Sequence, residues 1–149
     1  MLLETVGTDV DTLCLRAARA NAEIAGVGHL FHPVACDRFT AIRSNVFDTV
    51  VANPPYLPLE PKDKLDRTLC CGADLRLYIS MLRSCARTLK KDGVLVFTAS
   101  TLTAREVEGA RLLRRVKTPF DTVLVYACRE SELRQVTLRA CRSAQEGMT

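Results

Sequence analysis

Asn53-Pro54-Pro55-Tyr56 places a carboxamide, two residues without a backbone N–H and an aromatic ring in four consecutive positions. Proline removes the donor, and a tight turn at two prolines leaves the Pro54 carbonyl facing outward as a free acceptor. The Asn53 side chain supplies a second acceptor beside it. Two acceptors and a flat ring form a clamp for a planar group that ends in NH2. The lone pair of such a nitrogen is delocalised, which makes it a poor nucleophile. Gripping both N–H bonds in one geometry helps the nitrogen toward the tetrahedral shape that attack requires. The competing reading is a surface turn with a satisfied asparagine. What favours the clamp is an apolar run directly before it, residues 47–52, and an aromatic directly after the prolines.

A clamp of this kind has to be held by elements with a core. The run 47–52 reads as a buried strand, ended by prolines that cannot continue a sheet ladder. Open α/β sheets place their ligands at that end of a strand. Upstream, residues 5–10 read as a short strand with Asp9 near its end. Asp11 is a good cap for a helix over residues 12–25, with Leu13, Ala17, Ala20 and Ile24 on one face and Gly26 as its stop. Residues 29–35 form the next strand, leading into Asp37 and Phe39; Asp37 as a plain cap for residues 39–42 is the competing reading.

Downstream of Tyr56, residues 57–72 form a long polar connection with three charges of each sign and two further prolines. A loop of that length beside a site is read as a lid or a substrate-binding segment. Asp74 then caps a helix over residues 75–89, with Leu75, Ile79, Leu82 and Ala86 as its apolar stripe. Lys90 to Gly93 closes the helix with cations and a turn glycine. Residues 94–98 form a central strand, with residues 100–103 at its ligand end. Thr103 caps a basic helix over residues 104–115, and residues 120–127 and 133–139 pair as an antiparallel hairpin. The expected fold class is α/β, a doubly wound, mostly parallel sheet with helices on both faces and an antiparallel edge. Residues 1–4 read as the tail of a helix, residues 1–142 as one domain and residues 143–149 as a disordered tail.

These motifs resemble the class I methyltransferases of the NPPY type, which transfer a methyl group from S-adenosylmethionine to an amino or amide nitrogen. The run Thr8-Asp9-Val10-Asp11, with Leu15, Arg19 and Asn21 behind it, resembles the second strand and following helix of that superfamily. By that resemblance Asp9 holds the ribose hydroxyls of the cofactor and Asp37 accepts from its adenine amino group. Phe39 either packs on the purine or fills the core, and Asn53 lies beside the cofactor as well as the substrate. Asp66-Arg67 and the stretch through Gly72 to Asp74 narrow the resemblance to the archaeal and eukaryotic HemK-type release factor glutamine methyltransferases. Cys70-Cys71-Gly72-Ala73 departs from the glycine pattern there. The implied activity is N5-methylation of a glutamine side chain in a class 1 translation release factor, with Asn53, Pro54, Pro55 and Tyr56 orienting the amide. The resemblance also implies a small zinc-binding activator, which would pair with the edge of strand 29–35 through Leu30, Phe31 and Val34.

The family's glycine-rich cofactor loop and first strand would lie before Thr5 and are absent here. Three accounts are open: a start at an internal methionine, which is favoured; a natural truncation kept as a partner-binding module; or two strands that close up directly. Weak binding of S-adenosylmethionine, or none, is expected of the chain as it stands. The other enzymatic reading is adenine-N6 methylation of DNA or RNA, because adenine also presents a planar NH2. The net charge of +4 is modest and spread along the chain, which disfavours nucleic acid. Seven cysteines form no C-x-x-C pair and read as buried small hydrophobes, and His29, His32 and Cys36 lack a second ligand cluster. The sequence shows no signal-peptide layout and no membrane-length apolar window, so a cytoplasmic location is expected.

Overall fold

The computed structural model describes residues 3–63 and 65–140. The chain divides into two compact units, Met1–Arg43 and Ser44–Thr149.

In the first unit, strand β1 (Thr5–Asp9) leads to helix α1 (Thr12–Ile24), a 3-10 turn at Gly28–Leu30 and strand β2 (Phe31–Ala35). β1 and β2 pair in parallel, with Thr5 opposite Phe31 and Asp9 opposite Ala35. The helix begins as expected: the Asp11 carboxylate accepts from the Leu13 N–H at 2.9 Å. It ends where Gly26 turns left-handed at φ +73°. The buried face differs from the expected one. Leu15 is buried with Ala18 and Ala22 half-buried behind it, while Leu13 and Ile24 are 68% and 86% exposed. Residues 15, 18 and 22 also keep helical spacing, so apolar spacing alone leaves the inward face open. The Phe31 ring lies over Gly7, where a Cβ would meet it at 2.7 Å. Leu3 and Glu4 have no regular structure, and the first two residues of the expected helix tail lie outside the described residues.

The second unit contains β3 (Phe47–Ala52), a 3-10 turn at Asp66–Thr68, α2 (Arg76–Thr88), β4 (Leu89–Ser100), β5 (Ala104–Glu108), β6 (Arg111–Lys117), β7 (Thr122–Arg129), a 3-10 turn at Glu130–Gln135 and β8 (Thr137–Ala140). Its main sheet has the order β3-β4-β7-β6; β5 and β8 form a separate pair. β3 and β4 are parallel, and β7 runs antiparallel to both β4 and β6. The core is built from Tyr78, Leu82 and Cys85 of α2, alternate residues Leu95, Phe97 and Ala99 of β4, and Leu124, Tyr126 and Cys128 of β7. That alternation is what a strand facing a helix on one side requires. The Phe97 and Tyr126 rings stack with centroids 5.7 Å apart.

Four local features differ from the sequence reading. β3 is an edge strand with one uncovered face, on which Val51 is 76% exposed between buried Val50 and Ala52, rather than a strand buried on both sides. β4 begins at Leu89, and residues 90–93 swell out of register between the pairs Phe47–Leu89 and Thr49–Val94. Asp92, not Gly93, takes the left-handed conformation, at φ +66°. Gly93 is needed for close approach: a Cβ there would meet the Lys90 carbonyl at 2.9 Å and the Phe47 carbonyl at 3.2 Å.

The largest difference is the expected basic helix over 104–115, which is two strands. Gly109 sits between them at φ +78°, and a Cβ there would meet the Gln135 carbonyl at 2.8 Å. A helix through Gly109 would lose propensity and leave the edge of β7 unpaired. The antiparallel hairpin is therefore β6–β7, not 120–127 with 133–139. The chain leaves β7 through a turn in which the Glu132 carboxylate accepts from the Arg129 N–H at 2.8 Å. The expected strand over 133–139 shortens to β8, which pairs with β5. The class is α/β as expected, with mixed rather than mostly parallel ladders: two parallel and three antiparallel among the described residues. β1 and β3 lie in different sheets. The expected tail over 143–149 lies outside the described residues.

Candidate functional site

Asn53 follows the last residue of β3, so the tetrapeptide starts at the carboxyl end of a parallel strand. Asn53 is exposed, Pro54 is fully buried, and Pro55 and Tyr56 are half-buried. Of the two expected acceptors, the Asn53 amide is thus the one open to solvent. The Pro54 carbonyl receives a hydrogen bond from none of the described residues, an unusual state for a buried backbone acceptor.

The tetrapeptide is fixed from the neighbouring strand. The Thr98 hydroxyl of β4 donates to Asn53 Oδ1. Beyond the end of β4, the Thr103 hydroxyl donates to the Tyr56 carbonyl, and Thr103 itself is buried. Tyr78 of α2 donates from its hydroxyl to the Thr98 carbonyl at 2.7 Å. Burial holds the Tyr78 phenol well above its usual pKa, so it remains a donor. Thr98 and Tyr78 were not singled out by the sequence reading, and Thr103 was read there only as a helix cap. The available signal was the hydroxyl-rich end of the strand, Thr98 to Thr103.

The connection 57–72 is closed rather than extended. Leu57 and Cys70 form a parallel bridge; the Leu57 N–H donates to the Leu69 carbonyl and the Cys71 N–H to the Leu57 carbonyl, each at 2.8 Å. Glu60 clamps the far side: Arg76 donates to its two oxygens at 2.7 and 2.5 Å, and the Ala73 N–H donates to Oε1 at 3.2 Å. The Arg76 guanidinium, with the Ala73 N–H, pulls the Glu60 carboxyl down to about 2. Asp74 accepts from the Arg76 N–H at 3.1 Å, although Leu75, at φ +59°, is the residue that caps α2. Gly72, at φ +86°, lets the chain turn under Arg76. Leu59, Leu65 and Leu69 remain exposed on this loop.

A third group of hydrogen bonds lies at the same end of β4. The Ser100 hydroxyl donates to Asp121 Oδ2, and the Thr118 hydroxyl donates to Asp121 Oδ1 at 2.5 Å. These two hydroxyls, Ser100 first, lower the Asp121 pKa. They hold the β6–β7 turn, on which Phe120 is 90% exposed.

In the first unit the expected cofactor residues share one end of the two parallel strands. Asp9 ends β1 and is half-buried; its Oδ1 accepts from the Asp11 N–H at 2.8 Å, and its Oδ2 has no partner among the described residues. Its carbonyl accepts from the Cys36 N–H at 3.0 Å. Asp37, two residues beyond β2, is exposed, and both its oxygens accept from Arg38, at 2.9 and 2.6 Å. Phe39 is half-buried in the turn that follows. An oriented carboxylate with one free oxygen fits a vicinal diol, and the Asp37 oxygens each keep a lone pair for an amino group. On these grounds the residues fit an adenosyl group, with Asp9 the better prepared of the two.

The expected contact surface on β2 is altered. Phe31 packs on Gly7, and the Arg19 guanidinium donates to the Phe31 carbonyl at 2.9 Å. Among the described residues no group of three His, Cys, Asp or Glu side chains could hold a metal, and no helix is long and apolar enough to cross a membrane. Cys70, Cys71, Cys85 and Cys128 are buried, whereas Cys14 is exposed and Cys36 half-buried. Burial pushes the Cys71 and Cys128 thiols up to about 11 and Cys85 to about 12, so these three are inert at neutral pH.

A family model for the RMKL-like methyltransferase domain (UPF0020) matches residues 1–120. The chain belongs to that family. It is a class I S-adenosylmethionine-dependent methyltransferase domain by descent, and the family implies use of that cofactor. Over 113 residues it is 33% identical to a release factor glutamine methyltransferase of Bradyrhizobium diazoefficiens, covering 69% of this chain and 38% of that protein. Over 135 residues it is 30% identical to a Methanocaldococcus jannaschii protein provisionally named a protein N5-glutamine methyltransferase, covering 80% of this chain and 66% of that one. The domain thus spans between about a third and two thirds of these relatives. The crystal structure of TrmN from Thermus thermophilus superposes with a TM-score of 0.56 at 20% identity, over 83% of this chain and 35% of that one. That similarity shows the α/β Rossmann-like methyltransferase fold. The fold explains why the tetrapeptide ends a parallel strand.

Proposed function

We propose that this methyltransferase domain methylates the side-chain amide nitrogen of a glutamine, in a class 1 translation release factor. The observation that carries the reading is the Asn53 side chain, exposed at the carboxyl end of β3 with its amide already held by Thr98. Two relatives named as glutamine methyltransferases support the choice of acceptor.

The cofactor, when bound, supplies a methyl group on a sulfonium whose departure leaves a neutral thioether. The remaining tasks fall to the chain. Asn53 Oδ1 keeps one lone pair for a substrate N–H, whereas the Pro54 carbonyl is buried in this structure and is not presented to a substrate. Tyr56 offers a flat surface for the amide plane. Asp9 and Asp37 serve the ribose and the adenine amino group. The methylated nitrogen sheds its proton after transfer, so the step needs no general base. The small zinc-binding activator remains part of the proposal, at the β2 edge. Phe31 is a folding residue, so the exposed His32 and Pro33 are the contacts to alter.

The test is transfer of labelled methyl to a glutamine-bearing release factor and, in parallel, to an adenine-bearing oligonucleotide. Label in glutamine, lowered at least tenfold by Asn53→Ala with a far smaller loss of cofactor affinity, supports the reading. Label in adenine alone overturns it.

A further inference from the structure

We infer that Thr98 is a positioning residue for Asn53: its hydroxyl sets the direction in which the carboxamide faces the acceptor nitrogen. The inference rests on the transfer reading above for its consequence in turnover, but on geometry for the contact itself.

Asn53 is exposed, and an exposed asparagine samples several rotamers and both orientations of its amide. A flipped amide would present N–H donors to a substrate that is itself an N–H donor, which is repulsive. In the structure the Thr98 hydroxyl donates to Oδ1, which uses one lone pair and leaves the other for a substrate N–H. Asn53 has no second hydrogen-bond partner among the described residues.

Thr98 is suited to the task because its own place is fixed. Its backbone lies opposite Val125 in the β4–β7 ladder, and its carbonyl also accepts from the buried Tyr78 hydroxyl. Its β-branched side chain has few rotamers on a strand. The result is a line from the helix α2 core, through Tyr78 and Thr98, to the carboxamide. An exposed group is thereby held by a residue that the core immobilises, which is what a site needing accurate orientation requires.

The test compares Thr98→Val, which keeps the branched shape and removes the donor, with Thr98→Ser, which restores the donor. Two readouts are taken on the full chain. In the first, the Asn53 side-chain NH2 pair is located by NMR through its disappearance in Asn53→Ala. Thr98→Val is expected to shift that pair and lower its heteronuclear NOE, with Thr98→Ser near wild type. In the second, methyl transfer to glutamine is expected to fall about tenfold in kcat for Thr98→Val, with little change in cofactor KM, as for loss of one neutral hydrogen bond.

An unchanged NH2 pair in Thr98→Val overturns the inference, whatever the turnover. Equal losses in Thr98→Val and Thr98→Ser, or losses that track thermal stability, overturn it as well. If wild type labels no glutamine, the transfer reading fails; the NMR comparison then decides the positioning role alone.

Discussion

The two units of this chain hold their chemistry-bearing residues on very different supports. In the unit with Asp9 and Asp37, no residue of β1 or β2 is buried, and α1 contributes Leu15 alone. In the unit with Asn53, the strand carrying the tetrapeptide lies beside β4, whose Leu95, Phe97, Ala99 and Ser100 are each at most 1% exposed. The contrast matches the two tasks. A carboxylate that grips a ribose can be ordered by the ligand itself, with the cost appearing in affinity. A carboxamide that must hold a nitrogen in a reactive geometry has to be in place beforehand. Support is thick where orientation matters most.

Core truncations should therefore differ sharply between the units. Phe97→Ala removes a ring stacked on Tyr126 and is expected to cost about 3–5 kcal/mol. Leu15→Ala, among half-exposed neighbours, should cost no more than about 2 kcal/mol, the low end for such truncations. Urea denaturation of both variants tests this, and a larger loss for Leu15→Ala would break the comparison. Hydrogen exchange sharpens it: amides of β4 and β7 should open only near the global free energy, those of β1 and β2 well below it.

Next in size is Gly93→Ala. A Cβ would press on two backbone carbonyls as well as on the Leu89 side chain, and the backbone cannot swing aside, so about 1–3 kcal/mol is expected from strain. In the first unit, Asp11→Ala removes the α1 cap and should cost about 1 kcal/mol. Circular dichroism of that variant should show lost helix with the β4–β7 amides still protected. Equal loss of protection in both units would mean that they unfold as one.

What the sequence made legible follows the same division of physics. The strand 47–52 and its stop were readable because two prolines allow few structures. The α1 cap and its glycine stop were readable because both are local. The helix expected over 104–115 failed because its real constraint is distant: Gly109 lies against Gln135, and β7 needs a partner on its free edge. Apolar spacing alone suited Leu13 and Ile24 as well as it suited Leu15, and only the strands decide which face turns inward. Thr98 and Tyr78 were missed for a related reason. A threonine in a strand and a tyrosine in a helix read as ordinary core, and the hydrogen bond that links them spans twenty residues.

The smallest expected effect concerns the loop after Tyr56, where an exposed ion pair does the holding. Glu60 binds Arg76 and the Ala73 N–H, and its carboxyl lies at about 2 against an ordinary value of 4.5. A lowered pKa in the folded state means that the unfolded state takes up a proton first as pH falls. The contribution is therefore complete above about 4.5 and disappears as pH drops through about 2. The pair is open to solvent, so global stability should scarcely register it, and added salt should weaken it. The local readout is the Ala73 amide. Its exchange protection, corrected for the intrinsic rate, should decline between those two pH values in the wild type and stay flat in Glu60→Gln. Amides of the buried β4 core such as Phe97 should keep their protection over the same window. A decline at Ala73 that persists in Glu60→Gln would assign the change to general acid unfolding. It would also remove the ion pair as the latch that closes residues 57–72.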